Sequence, residues 1–225
     1  MLGSIQPQPI EFEPDGSIDL AKAQAKIKPD NEHFAMTKLL ALENTTDGMV
    51  LSMDYLAQAH DFARGNELSL HLDGARLWNA VGHLGIDEAE VGKLFDSVSV
   101  CLSKGLGAPM GSVLVGSQDF IAAARRWRKM LGGGMRQAGI AAAAGIYALE
   151  HHRQRITDDH DMALAIHGAL AEVDGVEVLA CHTNMVFCDF SGFDGDVEKR
   201  FEAHGIIGSV HPERSRLVTL SLIHI

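Results

Sequence analysis

Lys104 closes the run Ser97-Val-Ser-Val-Cys-Leu-Ser-Lys104, a string of strand-forming residues that stops at a lysine followed by Gly105-Leu-Gly107. Upstream, Leu68-Ser-Leu-His-Leu-Asp73 stops in the same way on a carboxylate, with Gly74-Ala75-Arg76 directly behind it. A strand that carries an amine at its carboxyl end can present it to a carbonyl compound. A carboxylate at a neighbouring strand end can keep a ring nitrogen protonated. Lysine and aspartate so placed point to pyridoxal phosphate, the lysine holding the aldehyde as a Schiff base and the aspartate keeping the pyridine able to accept electrons. Each residue also has a plainer role: Lys104 as a solvated turn lysine, Asp73 as an N-cap for a helix starting near Ala75, and Arg76 as an ion-pair partner of Asp73.

Whether these groups meet depends on the elements that carry them. The patterns run strand, helix, strand, helix, the signature of an α/β domain. Thr37 to Glu43 reads as a strand, Asp54 to Arg64 as a helix, Leu68 to Asp73 as a strand, Asp87 to Phe95 as a helix and Ser97 to Ser103 as a strand. Ser112-Val-Leu-Val-Gly116 is short and apolar on both faces, as a buried strand is. Gln118 to Leu131 and Gln137 to His151 read as helices separated by Gly132-Gly133-Gly134. Beyond residue 152 a polar helix from Arg153 to Glu172, strands at 175–179 and 183–190, a helix from Asp194 to His204 and a strand around Arg216-Leu-Val-Thr219 read as a smaller α+β domain. The chain is therefore expected to divide into a large domain, 1–152, and a small one, 153–225. In open α/β sheets ligands bind beyond the carboxyl ends of the strands, so Glu43, Asp73 and Lys104 are expected to face one crevice.

Other constellations are weaker. Gly132-Gly-Gly-Met-Arg136 before an alanine-rich helix suits either a phosphate cradle or a hinge. Arg125, Arg126, Arg128 and Lys129 span more than one helix face, which fits a solvated helix better than a binding stripe. The net charge of -11 opposes a nucleic-acid role. None of the twelve histidines forms a metal-ligand motif, and three scattered cysteines make neither a disulfide framework nor a zinc site. The start, Met1-Leu2-Gly3-Ser4, shows no leader pattern, and the apolar runs are short of a membrane span, so a cytoplasmic protein with no membrane partner is expected.

Three dense strings, His71-Leu-Asp-Gly-Ala-Arg76, Leu102-Ser-Lys-Gly-Leu-Gly107 and Arg126-Trp-Arg-Lys-Met-Leu-Gly-Gly-Gly-Met-Arg-Gln137, lie within a match that runs from Leu2-Gly-Ser-Ile-Gln-Pro-Gln-Pro9 to Arg216-Leu-Val-Thr219. Over that range the chain resembles the low-specificity L-threonine aldolases, pyridoxal-phosphate enzymes of the aspartate-aminotransferase type (fold type I). The resemblance implies a mainly parallel sheet with helices on both faces, Lys104 as the Schiff-base lysine and Asp73 on the pyridine nitrogen. It implies that Arg76 reaches the substrate carboxylate or the ring's phenolic oxygen, and that Arg216 is the second carboxylate clamp. Lys129 and Arg136 correspond to basic residues near the cofactor phosphate or a neighbouring subunit's site. The implied reaction is retro-aldol cleavage of threonine, allo-threonine or a related β-hydroxy-α-amino acid to glycine and an aldehyde, in a homodimer or homotetramer.

Three departures stand out. The family pattern Glu-Asn-Thr-His is Glu43-Asn44-Thr45-Thr46 here, so a threonine occupies the place expected to lie near the substrate hydroxyl. The family's upstream phosphate-binding loop and ring-stacking histidine have no counterpart in the string. The tail Leu220-Ser-Leu-Ile-His-Ile225 departs from the family's pattern and reads as foreign sequence. A competing expectation is thus a truncated, catalytically inactive fragment that retains only oligomerising surface.

Overall fold

The computed structural model describes residues 3–206 and 210–222. Met1 and Leu2 of the N-terminal string and Ile223 to Ile225 of the divergent tail lie outside the described residues.

The chain opens with α1 (Leu20–Lys26), β1 (Leu39–Glu43), α2 (Met53–Gly65), β2 (Ser69–Gly74), α3 (Leu77–Leu84), α4 (Glu88–Gly92) and β3 (Ser97–Cys101). β4 (Ser112–Gly116), α5 (Gln118–Met130) and α6 (Gly139–His151) follow. After a 3-10 turn at Arg153–Arg155 come α7 (Ile156–Ala171), β5 (Glu177–His182), β6 (Met185–Asp189), α8 (Val197–Ala203) and β7 (Ser215–Val218). The architecture is α/β. One sheet has the order β1-β2-β3-β4, its first three strands parallel and β4 antiparallel to β3. The other is an antiparallel sheet of order β5-β6-β7. Among the described residues no helix is long and apolar enough to cross a membrane.

The main core forms where two periodicities meet. Along β2 the side chains alternate, and Leu70 and Leu72 are fully buried. Helix α2, capped by the Ser52 hydroxyl accepting the Tyr55 N–H at 3.1 Å, buries Leu56, Ala59 and Ala63 along one face in the same cluster. Asp96 ties them together: one carboxylate oxygen accepts the Leu70 N–H at 2.7 Å and the other meets Arg64 of α2 at 2.8 Å.

Sequence pattern and structure differ at three places. Helix α1 was not visible as a pattern because it buries only Ala23, and α3 because its 8 residues make barely two turns, too short a stretch for a helical period to stand out. β4 is an antiparallel edge strand, and all five of its residues are exposed, although its composition suits a buried strand. The glycine triplet does break the helix, as expected, and does so by a specific device. The Gly133 N–H donates to the Arg128 carbonyl at 2.8 Å and the Gly132 N–H to the Lys129 carbonyl at 3.2 Å, with Gly132 at φ 87°. This is a Schellman cap on α5. Those two amides are therefore committed to the helix and are not free to cradle a phosphate.

Gly74 ends β2 where a Cβ would lie 2.9 Å from the Ser99 carbonyl oxygen and 3.1 Å from Leu77 Cβ. Gly74→Ala should therefore push β2 from β3 and cost about 1–3 kcal/mol. A urea midpoint equal to that of the wild type would refute this close approach.

Candidate active site

The register of the parallel strands builds the site. Glu43 is paired with Asp73 and Asp73 with Ser99, so the last residue of β1 and the last but one of β2 lie side by side near the carboxyl edge of the sheet. β3 ends at Cys101 and not, as its residues suggest, directly before Lys104, which stands three residues further on in a turn closed by the Gly107 N–H donating to the Lys104 carbonyl at 2.7 Å. Glu43 feels the charges of Asp73, Arg76, Lys104 and Asp47, which places the expected strand-end residues at one locus. A cavity of about 200 Å³ opens beside Glu43 and Asp73, its other lining residues, Ser17 and Leu51 among them, coming from the N-terminal segment and β1 and its following turn.

Asp73 is exposed, and one of its oxygens accepts the Ala75 N–H at 3.0 Å. The helix-start role read from sequence is thus partly present, although α3 begins at Leu77 with no side-chain cap. A carboxylate has further acceptor sites, so Asp73 can still receive an N–H from a ring. Among the described residues the ion pairs do not include Arg76 with Asp73; those nearest the site join Asp47 to Arg214 and to Arg216.

The electrostatics of the site are unusual in their positive half. Arg76 is half-buried, and burial first, then the positive charge of Arg216, push its guanidinium below the ordinary value, while Glu43, Cys101 and Asp47 oppose the shift. Two guanidiniums held close enough to repel each other, one of them desolvated, form a place where an anion is favoured. Glu43 is raised above the ordinary carboxylate range by burial and then by Asp73, with Arg76 and Lys104 pulling back.

Thr46 is buried, and its hydroxyl donates to the Glu43 carbonyl at 3.2 Å. Nearby, the buried Asn44 Nδ2 and Thr45 Oγ1 have no partner among the described residues. Lys129 and Arg136 are exposed, and among the described residues neither enters an ion pair. Sequence reasoning missed Asp47. Its signal was present in the Asp47-Gly48 pair a few residues beyond a strand, a dipeptide that favours a tight turn.

The profile of the beta-eliminating lyase family matches residues 1–192. The low specificity L-threonine aldolase of Escherichia coli (strain K12) is 54% identical over 187 residues, which cover 83% of this chain and 56% of that protein. The low-specificity L-threonine aldolase 1 of Arabidopsis thaliana is 40% identical over 219 residues, covering 92% of this chain and 61% of that protein. The chain thus spans somewhat more than half the length of these curated relatives. Among solved structures, a putative L-allo-threonine aldolase from Listeria monocytogenes EGD-E matches with a TM-score of 0.79 at 20% identity, over 98% of this chain and 64% of that one. The threonine aldolase of Leishmania major matches with a TM-score of 0.72 at 20% identity, over 92% of this chain and 63% of that one. At such identity these structures establish the fold alone.

Because the raised Glu43 keeps a proton in the folded state that the unfolded chain would release, its stabilising contribution is full below the ordinary value of 4.5 and is lost as pH rises through the folded value. Glu43→Gln stays neutral throughout. The variant should therefore gain on the wild type as pH climbs from 4.5, and the gap should level off once Glu43 is ionised. Urea midpoints across that range check this, and parallel pH profiles would show that the carboxyl behaves as a solvated one.

Proposed function

The chain belongs to the beta-eliminating lyase family, and from that premise we propose that it carries the active-site half of a pyridoxal-phosphate enzyme for retro-aldol cleavage of β-hydroxy-α-amino acids. The substrates are L-threonine, L-allo-threonine and relatives, and the products glycine and an aldehyde. One observation carries the reading: Asp73 at the carboxyl edge of β2 and Lys104 in the turn after β3 share one locus with Glu43 and with a half-buried arginine that a second one repels. The resemblance of sequence to curated threonine aldolases supports the substrate class.

The residues fit the cofactor's amine and ring requirements. The half-buried Lys104 is followed by Gly105, which adds no side chain next to it. Asp73 has acceptor capacity to spare beyond Ala75. When bound, pyridoxal phosphate supplies the electron sink that breaking a Cα–Cβ bond requires. In this reading Lys104 holds the cofactor aldehyde, and Asp73 holds the proton on the ring nitrogen. Arg76 and Arg216 bind the substrate carboxylate, for which planar guanidinium forks are well suited. Thr46 contributes bulk rather than proton transfer, since its hydroxyl is not basic near neutral pH and already donates to Glu43. Lys129 and Arg136, being exposed, are available to the cofactor phosphate or to a neighbouring subunit.

The same reading divides the chain into a large domain, 1–152, and a small domain, 153–225, in keeping with the two sheets. It makes the enzyme a cytoplasmic homodimer or homotetramer. Exposed Val113, Leu114 and Val115 of β4, Trp127 and Met130 of α5 and Ile140 of α6 support a covered face in an assembly. Those same residues favour a second reading, in which this stretch alone is a catalytically inactive fragment with oligomerising surface. The purified chain, mixed with pyridoxal phosphate and threonine, separates the two: glycine formation supports the first and its absence the second.

In the complete enzyme, borohydride reduction followed by peptide mass spectrometry should place the pyridoxyl group on Lys104; a label on Lys129 or another lysine would sink the assignment. Arg216→Ala should raise KM for threonine roughly ten- to a hundredfold, the worth of a charge-assisted hydrogen bond, while the absorbance of the bound cofactor persists. An unchanged KM would remove Arg216 from the site.

A further inference from the structure

Asp47 sits in a turn whose geometry is tightly determined. Thr46 and Met49 exchange backbone hydrogen bonds of 3.1 and 2.8 Å, and the two residues between them have φ of 48° and 84°. Two positive φ angles in succession define a type I′ turn, for which aspartate followed by glycine is a preferred pair. The turn is docked on the second sheet. A Cβ on Gly48 would lie 2.5 Å from the His182 carbonyl oxygen, and the Gly48 carbonyl accepts the Thr183 hydroxyl at 2.9 Å. β6 begins just beyond Thr183 and pairs with β7, placing Phe187 opposite Arg216. Asp47 and Arg216 thus project from backbones that are fixed relative to each other.

The Asp47 carboxylate divides itself between two cations. Oδ1 lies 3.6 Å from Arg216 Nη1, and Oδ2 lies 3.6 Å from Arg214 Nη2. Both separations exceed a hydrogen bond, and all three groups are about half exposed, so the attraction is one of charge and exerts little directional hold. Arg214 has a second restraint, its guanidinium lying 4.9 Å from the Phe187 ring centre. Asp47 also faces Arg76 and Glu43 across the site.

We propose that Asp47 is an internal stand-in for the substrate carboxylate: it neutralises Arg216 and Arg214 in the free protein and competes with the incoming amino acid for them, setting how tightly the site holds anionic ligands. The inference rests on the reading of Arg216 as a carboxylate-binding residue. It follows from the geometry because a carboxylate held only by charge loses little when another carboxylate makes true hydrogen bonds to the same guanidinium.

Asp47→Asn keeps the side-chain shape and tolerates the same positive φ, so the turn persists while the charge is lost. The test is a spectroscopic titration of the cofactor-loaded enzyme with glycine and with ethanolamine, the same amine without the carboxylate. The variant should bind glycine about two- to fivefold more tightly, the range for a half-exposed ion pair, and ethanolamine with unchanged affinity. Unchanged glycine affinity would reduce Asp47 to a turn residue, and weaker glycine binding would mean that it orients Arg216; either result overturns the proposal. Arg216→Ala is measured alongside. If it leaves glycine affinity intact, the parent reading fails and takes this one with it. If it weakens glycine binding while Asp47→Asn has no effect, only the present inference falls.

Discussion

Parallel backbone pairing of β1 with β2 and of β2 with β3 is the constraint on which the rest depends. In a parallel ladder, strand ends of like polarity lie together, so whatever residue closes each strand faces the same edge. The register pairs Glu43 with Asp73, and the turn after β3 carries Lys104 to the same locus. Gly74 permits this by letting β2 and β3 approach where any side chain would meet the Ser99 carbonyl.

The positive half of the site has a different origin. Arg76 stands just beyond β2, whereas Arg216 belongs to the antiparallel sheet and reaches the locus through packing. The turn from Thr46 to Met49 connects the two, since it leaves β1 and rests on the β5 to β6 connection. Mutual repulsion of the arginines, relieved in part by Asp47 and Glu43, makes the locus attractive to a carboxylate.

The far edge of the sheet obeys local rules without tertiary reward. Ser117 caps α5, a Schellman motif ends it, and β4 pairs with β3, yet α5 has no buried residue and β4 none either. Pairing with β3 and the two caps hold these elements, and their apolar side chains are uncovered within this chain.

The strands around the site were legible in the residues because β2 alternates cleanly and because Asp73 and Lys104 interrupt apolar runs with charge. The helix-breaking glycines and α2, α5, α6 and α7 were legible for the same reason, their patterns being local. Helix α3 was not, since its 8 residues are too few for a helical period to stand out, and neither was the exposure of β4, since composition records a side chain's polarity and not what covers it. Arg216 was recognisable only by resemblance, and Asp47 was overlooked although Asp-Gly announces its turn. The meeting of those two residues joins positions far apart in the chain, so no local periodicity encodes it. By itself the sequence determined which charged residues lie at or just beyond the carboxyl ends of the strands and what chemistry they offer. Only the tertiary structure decided which charges face one another, because electrostatic coupling depends on separation in space and on burial, and both are set by packing between the two sheets.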